Sequence, residues 1–427
     1  MPPLAAGGAV FCAIAMWFYF GRVLVPYQVS DANEHGRPRG NLSDLYPRWI
    51  GAQELLLHGR DPYSAAVTRE IQAGYYGRPL DPSRPEDPKD LQGFAYPVFV
   101  VFYLAPTLHL PFGIVQRGFL WILIGLTSAS VVLWLRMLHS TESAWIRAGA
   151  IALTLGSLPV MQGLKLQQLS LLVAAMMAVA LALLAADHAV PAGIVLALAA
   201  IKPQLLFPLL LWLCLWTLAD WRRRYRWVAA FLVTLAIMVA LSEWYLPHWI
   251  PRFWQAVREY RNYTEARSVL QNLLPPLAGR GLEMLIAAAT VILCWRLRKQ
   301  PSSASSFVHA NCAILCVTVL LVPTPSLYNQ VLLMPAVLML SLAWRAYWQG
   351  TPAGRVICTV AGVVMLWPWL ASILLVVVSF AWPARVIAKT SAAPFWAALF
   401  LPPAITLLAL VYLYRQPSAQ PAERATA

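Results

Sequence analysis

A bundle of transmembrane α-helices is the fold class that this sequence predicts. The chain has 427 residues, of which 60% are hydrophobic and only 12% are charged, and its mean hydropathy is +0.62. Soluble domains, by contrast, are about 25% charged. Apolar runs follow one another along most of the chain, and each crossing needs about 20 residues. The length therefore allows about 11–13 spans in a polytopic, all-α protein.

The same composition excludes several other classes of protein. A water-soluble enzyme, an intrinsically disordered chain, a disulfide scaffold and a coiled coil are all inconsistent with it. The six cysteines lie inside apolar runs and form no C-x-x-C pair, which indicates packing residues. The net charge of +14 could indicate nucleic-acid binding. The basic residues, however, stand in short clusters between apolar runs, as the positive-inside rule predicts, so no nucleic-acid partner is expected.

The first apolar run, from about Ala9 to Val25, is predicted to be a retained span. No Lys or Arg precedes it and no A-x-A-like cleavage site follows it, unlike a signal peptide. All of 1–415 is predicted to form one transmembrane domain, and 416–427 a disordered cytoplasmic tail. The later predicted spans are 94–113, 117–138, 146–161, 168–186, 189–219, 227–246, 282–297, 307–322, 329–347, 356–381 and 393–414.

Residues 28–93 form the one long polar loop. They contain ten of the chain's 18 acidic residues, eight Lys or Arg and seven Pro. Within the loop, apolar residues recur at helical spacing from Asp44 to Leu57, which predicts an amphipathic helix at the membrane interface. Ser43 or Asp44 would be its N-cap, and Gly59 would end it. The proline-rich stretch that follows at 81–90 predicts irregular structure.

The basic clusters predict the orientation of the bundle. W-R-R-R-Y-R at 221–226 and W-R-L-R-K at 295–299 are predicted to be cytoplasmic. A cytoplasmic N-terminus places loop 28–93 on the outer face. Crossings can be counted forward from the N-terminus or backward from the basic clusters. The two counts agree only if 189–219 crosses once or if another early segment is re-entrant. Because 189–219 is interrupted at Lys202-Pro203, both one broken helix and two short helices remain open.

No motif of a soluble enzyme is present, so candidate chemistry must come from polar residues at the outer ends of the spans. Asp44 precedes an interfacial helix, whose N-terminus would keep the carboxylate ionised and able to act as a general base. The alternative is a plain N-cap. Lys202 lies in an apolar run beside Pro203, where a lysine indicates either function or a snorkelling side chain. Asp61 is either a second base or the start of a turn.

Five stretches of the chain, in order over roughly 10–345, together form a recognisable pattern. They are S-D-L-Y at 43–46 continuing through A-Q-E-L-L-L-H-G-R-D-P-Y at 52–63, F-A-Y-P at 94–97, L-Q-Q-L-S at 166–170, A-L-A-A-I-K-P-Q at 197–204, and P-S-L-Y-N-Q-V-L-L-M-P-A at 325–336. The pattern resembles the glycosyltransferases of family 87, which are GT-C enzymes that include polyprenyl-phosphate-mannose-dependent mannosyltransferases. Three positions depart from the family pattern: Val98 replaces a second Pro, Gln167 stands where Gly is usual, and Asn329 stands where Asp is common.

The resemblance implies transfer of a hexose, with mannose expected, from a polyprenyl-phosphate-linked sugar to a glycolipid or glycan hydroxyl. The reaction would occur on the outer face of a bacterial cytoplasmic membrane, with inversion. It implies Asp44 as the base and Lys202 as the cation for the carrier phosphate. Arg48 and Lys165 are among the reserve cations. No metal and no cofactor are expected. The remaining predicted substrate contacts are Arg48, Asp61, Tyr63, Tyr96, Gln167, Gln168, Tyr328 and Asn329.

Two non-enzymatic alternatives remain open from the sequence. A transporter or lipid flippase would place ionisable groups near the middle of its spans and usually shows internal repeats. The predicted span interiors contain almost no acids, which argues against ion coupling but not against an uncoupled flippase. A non-catalytic subunit of an envelope assembly is the third possibility.

Overall fold

The computed structural model describes residues 2–36, 43–81, 83–264, 266–323, 325–349, 351–382, 387 and 390–415. The predicted tail at 416–427 lies outside this part of the chain. The described residues form helices and connecting turns, with no β-strand among them, which confirms the all-α prediction.

The helices run almost without interruption from the N-terminus. A π-helical turn at Phe20–Leu24 joins the first two α-helices, and 3₁₀ segments lie at Ala105–Thr107, Ala199–Ile201, Leu327–Leu333 and Ala393–Ala397. The α-helices are α1 Pro2–Tyr19, α2 Val25–Glu34, α3 Leu45–His58, α4 Ala65–Tyr76, α5 Val100–Leu104, α6 Phe112–Met137, α7 Ala144–Leu155, α8 Leu158–Lys165, α9 Leu169–Ala185, α10 Ala189–Leu198, α11 Pro203–Leu218, α12 Trp221–Tyr245, α13 Trp249–Tyr263, α14 Val269–Leu273, α15 Pro276–Leu297, α16 Ser305–Leu321, α17 Met334–Gln349, α18 Pro352–Ala381 and α19 Leu401–Arg415.

Seven helical runs of the described chain are long and apolar enough to cross a membrane. The α7–α8 pair, bent by 58°, makes an eighth if it counts as one span. Four further apolar helices are shorter, at 10–17 residues, which is why fewer full-length spans are present than the sequence predicted. The seven runs are Pro2–Glu34, Phe112–Met137, Trp221–Tyr245, Pro276–Leu297, Leu327–Arg345, Gly354–Ala381 and Ala393–Arg415, and the four shorter helices are Leu169–Ala185, Ala189–Ile201, Pro203–Leu218 and Ser305–Leu321.

One end of the bundle gathers the basic turns between helices. The Arg224 guanidinium donates to the carbonyl of Trp216 at 2.6 Å and to that of Arg298 at 2.9 Å. It therefore ties the α11–α12 turn to the end of α15. We call this end, formed by 220–226 and 296–302, the basic end. The turns before α3 and between α8 and α9 meet at the opposite end.

The α10–α11 segment is a helical hairpin. A Cβ on Gly193, early in α10, would lie 2.1 Å from the Trp227 carbonyl oxygen, so this helix begins in close contact with the start of α12. The Trp227 indole also donates to Thr217 at the end of α11, at 2.8 Å. The start of α10 and the end of α11 therefore both lie at the basic end. The tip at Lys202 reaches the α8–α9 turn, where its ammonium donates to Gln168 at 2.8 Å. Of the two open readings, two short helices is correct.

The predicted span at 94–113 is wrong. This segment contains only the five-residue α5 and a 3₁₀ turn. The indole of Trp49 in α3 donates to the Thr107 carbonyl at 3.4 Å, and the Phe102 ring packs against Tyr245 at the far end of α12, at 5.7 Å between centroids. The segment therefore stays at the opposite end. Since this segment does not cross, and the hairpin begins and ends at the basic end, the two topology counts agree.

In the described part of the polar loop, α2 ends at Glu34 and two complete helices, α3 and α4, follow. α3 matches the amphipathic helix predicted from Asp44 to Leu57, and Gly59 ends it in the left-handed conformation, with φ at +66°. α4 follows, capped by the Ser64 hydroxyl, which accepts from Val67 N–H at 3.3 Å. The later helix α13 is also amphipathic, and Arg252 on it pairs with Asp61 of the loop at 2.9 Å. These helices together cover the opposite end of the bundle.

Candidate functional site

The head of α3 is fixed against the α8–α9 turn. The Ser43 hydroxyl accepts from the Leu45 N–H at 3.0 Å and donates to the Leu166 carbonyl at 3.1 Å. Ser43 therefore supplies the side-chain cap that the sequence assigned to either Ser43 or Asp44. Asp44 occupies the N-cap position, but its side chain makes no capping hydrogen bond. The carboxylate instead accepts from the Gln168 amide nitrogen across the interface.

The α8–α9 turn owes its shape to the two adjacent glutamines. Gln167 has a left-handed φ of +46°, a conformation that suits glycine, which explains why the family pattern has Gly there. The Gln168 N–H donates to the Gly163 carbonyl at 2.8 Å and closes the turn. Gln168 then begins α9 with an extended backbone, so its side chain projects from the helix start.

Lys202 lies at the tip of the α10–α11 hairpin, where the sequence forces a break. Pro203 is the first residue of α11, and the extended conformation that a following proline favours is adopted by Lys202, with φ at −125°. The ammonium donates to Gln168 Oε1 at 2.8 Å and to the Ser170 hydroxyl at 2.7 Å, and the residue is only 4% exposed. It is thus a buried lysine with polar partners, which excludes simple snorkelling to solvent.

The 3₁₀ segment Leu327–Leu333 closes one side of the site. Asn329 Oδ1 accepts from the Ser170 hydroxyl at 2.7 Å, which continues the hydrogen-bond chain from Lys202. The ring of Tyr328 lies beside the lysine, with Nζ 5.0 Å from its centroid. Both predicted residues therefore contact the buried lysine or its partner.

Arg48 and Tyr96 close the other side. The Arg48 guanidinium lies 4.4 Å from the Tyr96 ring centroid and donates to the Asp44 carbonyl oxygen. Lys202 Nζ lies 5.7 Å from the centroid of the same ring. Tyr96 can approach this closely because α3 has Gly51 facing Phe94: a Cβ there would lie 2.3 Å from the phenyl ring.

The environment of Asp44 changes its titration. Burial raises the pKa of the Asp44 carboxyl, whereas the charges of Arg48 and Lys202 and the hydrogen bond from Gln168 lower it. The α3 N-terminus is therefore not the only influence on the ionisation of this carboxyl. Arg48 and Asp44 remain partly exposed, so a substrate can reach both. A carboxylate with a raised pKa accepts a proton more readily than an ordinary aspartate, which is a property of general bases.

Three predicted substrate contacts have hydrogen-bond partners within the protein. Asp61 accepts from the Tyr63 N–H at 2.9 Å and pairs with Arg252 at 2.9 Å, as the turn interpretation predicts. The Tyr63 hydroxyl donates to the Tyr96 carbonyl at 2.6 Å and so positions F-A-Y-P. Gln167 donates to the Leu164 carbonyl at 2.6 Å and accepts from Gln116 at 3.2 Å, with no direct contact to Asp44 among the described residues.

The structure also brings in residues that the sequence did not single out. Asp90, just before F-A-Y-P, lies close enough for its charge to raise the Asp44 pKa, and Tyr75 of α4 and Tyr260 of α13 lie within range of the charge of the same carboxylate. Lys165, a reserve cation, donates to Gln28 and also interacts with Asp44. Only long-range folding brings Asp90, Tyr75 and Tyr260 to the site, so no local signal could have found these three. Among the described residues, no three His, Cys, Asp or Glu side chains converge as a metal site.

Comparison with known proteins gives one match. The model of glycosyltransferase family 87 matches residues 94–324, more than half of the chain. The matched region includes Tyr96, Gln168 and Lys202, whereas Asp44 and Arg48 precede it. No curated protein and no solved structure matches the chain. The match favours a membrane glycosyltransferase over a transporter, a flippase or a non-catalytic subunit, and the chain belongs to glycosyltransferase family 87.

Proposed function

We propose that the protein is a GT-C enzyme that transfers a hexose, with mannose expected, from a polyprenyl-phosphate carrier to a glycolipid or glycan hydroxyl. The observation that supports this most directly is the position of Asp44. Its carboxylate is partly exposed, burial raises its pKa, and both Arg48 and Lys202 approach the Tyr96 ring, at 4.4 Å and 5.7 Å from its centroid. A base and a cationic pocket thus share one site at the membrane-embedded end of an interfacial helix.

Asp44 is the proposed general base. Its carboxylate accepts the proton of the acceptor hydroxyl while the acceptor oxygen attacks the anomeric carbon. The bond from that carbon to the carrier phosphate oxygen breaks, and its electron pair leaves with the lipid phosphate. A single displacement of this kind inverts the anomeric centre. A general base typically contributes about 10²–10⁴ in rate.

Arg48 and Lys202 are the proposed counter-charges for the departing phosphate. The guanidinium is partly exposed and presents the planar donor fork that binds phosphate oxygens in a bidentate manner. Lys202 is more enclosed. Its ammonium lies beside the Tyr96 and Tyr328 rings and adds a second positive charge to the site. In an apolar surround, such fixed charges stabilise developing negative charge more strongly than they would in water.

The charge distribution supports an active site on the outer face of a bacterial cytoplasmic membrane. The basic end holds the 221–226 cluster and the 295–299 cluster, and loops rich in Lys and Arg stay in the cytoplasm. Asp44 lies at the opposite end. The reaction would then occur outside, where lipid-linked sugars rather than cytoplasmic nucleotide sugars are the available donors.

The donor class is tested with the purified protein in lipid nanodiscs. We expect transfer from short-chain polyprenyl-phosphate mannose to an endogenous lipid acceptor, with inverted anomeric configuration by NMR. Polyprenyl-phosphate glucose, assayed in parallel, tests whether the enzyme prefers mannose to glucose. Nucleotide sugars serve as the negative control. Transfer from nucleotide sugars alone, or retained configuration, would contradict the proposal.

Orientation is tested by labelling single cysteines in a cysteine-free background. Ala66→Cys places an exposed thiol on α4, and Ser303→Cys places one at the basic end, between α15 and α16. In intact cells, an impermeant maleimide should label the first and spare the second until lysis. The reverse pattern would place the site in the cytoplasm.

A further inference from the structure

A single amide separates the buried lysine from the carboxylate. Gln168 Nε2 donates to Asp44 Oδ2, and Gln168 Oε1 accepts from Lys202 Nζ at 2.8 Å. Gln168 itself is 2% exposed, so water does not compete for these bonds. The sequence suggested a sugar contact for this glutamine, but both ends of its amide are occupied by protein groups.

The lysine determines which way the amide points. An ammonium group has three donors and no acceptor, so only the amide oxygen can face it. The amide NH₂ must then face Asp44. Lys202 is itself held in place, because its ammonium also donates to Ser170, whose hydroxyl donates to Asn329 at 2.7 Å. The orientation of Gln168 is thus imposed from the hairpin tip and the Leu327–Leu333 segment.

An NH₂ group facing Asp44 favours one protonation state of the carboxyl. An ionised carboxylate accepts the bond, whereas a protonated carboxyl would need an acceptor for its own O–H. If Gln168 were reversed, its oxygen would stabilise the protonated acid, which cannot act as a base. The hydrogen bond from the amide therefore lowers the pKa of Asp44, whereas burial raises it.

Other groups also face the carboxylate, and each must be considered. Arg48, Lys165 and Lys202 favour the ionised form by their charge, and Asp90 opposes it. The phenols of Tyr75, Tyr96, Tyr260 and Tyr328 interact with it as well. Among the described residues, Gln168 alone both donates a side-chain hydrogen bond to Asp44 and accepts one from a buried cation.

We infer that Gln168 is a positioning residue that orients Asp44 and keeps it ionised, with its own orientation imposed by Lys202. The inference rests on the proposed function, because it gives Asp44 the role of base. It assigns Lys202 a task besides attracting phosphate: through the amide, the lysine sets the state of a carboxylate that it does not touch.

The test is the pH dependence of transfer by variants of Gln168. Gln168→Met keeps the side-chain length but removes the donor. We expect the acid limb of the kcat profile to move up by about 1–2 pH units, the loss of one charge-assisted hydrogen bond. On the acid side of the wild-type limb, kcat should fall about tenfold to a hundredfold, while the donor KM changes less than about threefold. Activity should return as the pH rises.

A second variant keeps the test valid if the first does not fold. Gln168→Glu preserves a partner for the Lys202 ammonium, yet it places a second carboxylate opposite Asp44. The acid limb should then move at least as far upward as in Gln168→Met, because like charges favour protonation of one of the pair. Gln116→Met is the matched control, since that glutamine bonds to Gln167 rather than to Asp44. Its acid limb should stay in place.

The outcomes separate this inference from the proposed function. An unshifted acid limb in both Gln168 variants, with Asp44→Asn inactive, would overturn the positioning role and leave the base in place. An equal shift in Gln116→Met would also overturn it, because the effect would then be unspecific. Near-wild-type transfer by Asp44→Asn would instead overturn the proposed function.

Discussion

The two aspartates of the first loop, Asp44 and Asp61, show how one polar segment produces two different environments. Asp61 lies at the rim, where its two oxygens are occupied by the Tyr63 N–H and by Arg252 on α13. Asp44 lies deeper, with a neutral amide as its hydrogen-bond partner and, among the described residues, no ion pair within 4.0 Å. Both residues stand in motifs that resemble the family pattern.

The difference lies in what each carboxylate is free to do. A carboxylate at a turn that is paired with an arginine and hydrogen-bonded to the backbone holds structure together, and its partners favour the ionised form over taking up a proton. A partly exposed carboxylate with a raised pKa is available to take a proton. The side-chain partners, rather than the motif, distinguish the two acids.

Asp44→Asn should produce the largest effect. The asparagine preserves the size of the side chain and the head of α3, which Ser43 caps. We expect transfer to fall by about 10²- to 10⁴-fold, the usual cost of removing a general base. Radiolabelled sugar transfer in membranes at equal protein level measures it. Asp61→Asn is the control and should lose far less; an inactive Asp61→Asn beside an active Asp44→Asn would exchange the two roles.

Lys202→Met should have the next largest effect on transfer. It removes the ammonium from the Gln168 amide and from the phosphate pocket while keeping an unbranched side chain in the buried position. We expect donor use to weaken by roughly tenfold to a hundredfold, since a hydrogen bond to a charged group contributes about 1.5–3 kcal/mol. Lys299→Met, an exposed lysine at the basic end, is the matched control. Equal kinetics in the two variants would remove Lys202 from the site.

The Asp61–Arg252 pair should matter less, because it is half-exposed, with 40% of the arginine side chain and 29% of the aspartate side chain accessible. Arg252→Gln should lower transfer about fivefold or less, consistent with about 0.2–1 kcal/mol for an exposed pair. The exchanged pair Asp61→Arg with Arg252→Asp should restore part of the loss. A double variant without any recovery would mean that the pair does not hold α13 over the loop.

The smallest effect is expected at Asp87, in the proline-rich stretch. Arg78 and the Asp81 N–H hold the pKa of Asp87 at about 2, below its ordinary value of 3.8. Because the folded pKa is lowered, the contact stabilises the loop above pH 3.8 and is lost as the pH falls toward 2. Asp87→Asn should therefore increase cleavage of 77–93 in limited proteolysis at neutral pH, with little change in transfer. At pH 2, the variant and the wild type should be cleaved alike.

Local patterns predicted much of the fold. Helical spacing located α3, and Gly59 ended it as expected. Hydropathy failed at 94–113 because it measures apolar character and not what surrounds it. Val98, Val100 and Leu104 are fully buried within the protein. A short apolar run has the same hydropathy whether it packs against other helices or against lipid.

The site was predictable only where its residues are neighbours in sequence. Arg48 lies four residues from Asp44, one helical turn away. Gln168 is 124 residues from Asp44, and the motif that contains it shows no partner. Lys202 was recognisable because burying a charged side chain in an apolar run is energetically unfavourable, so a lysine there usually has a function. Asp90 and Tyr260 lacked any such signal, because ordinary loop and interfacial residues look the same.

The α10–α11 hairpin also affects how the chain is inserted during synthesis. Its limbs, Ala189–Ile201 and Pro203–Leu218, are each too short to be retained in a bilayer as an independent span, which takes about 20 residues. The two limbs must therefore enter as one unit, with the lysine at the turn. The irregular backbone at that turn, where Lys202 has a φ of −125°, is tolerated at membrane depth only when it is buried in protein. Stable insertion of the hairpin thus depends on α16, whose Asn311 accepts from the Trp212 indole, although it is synthesised about a hundred residues later.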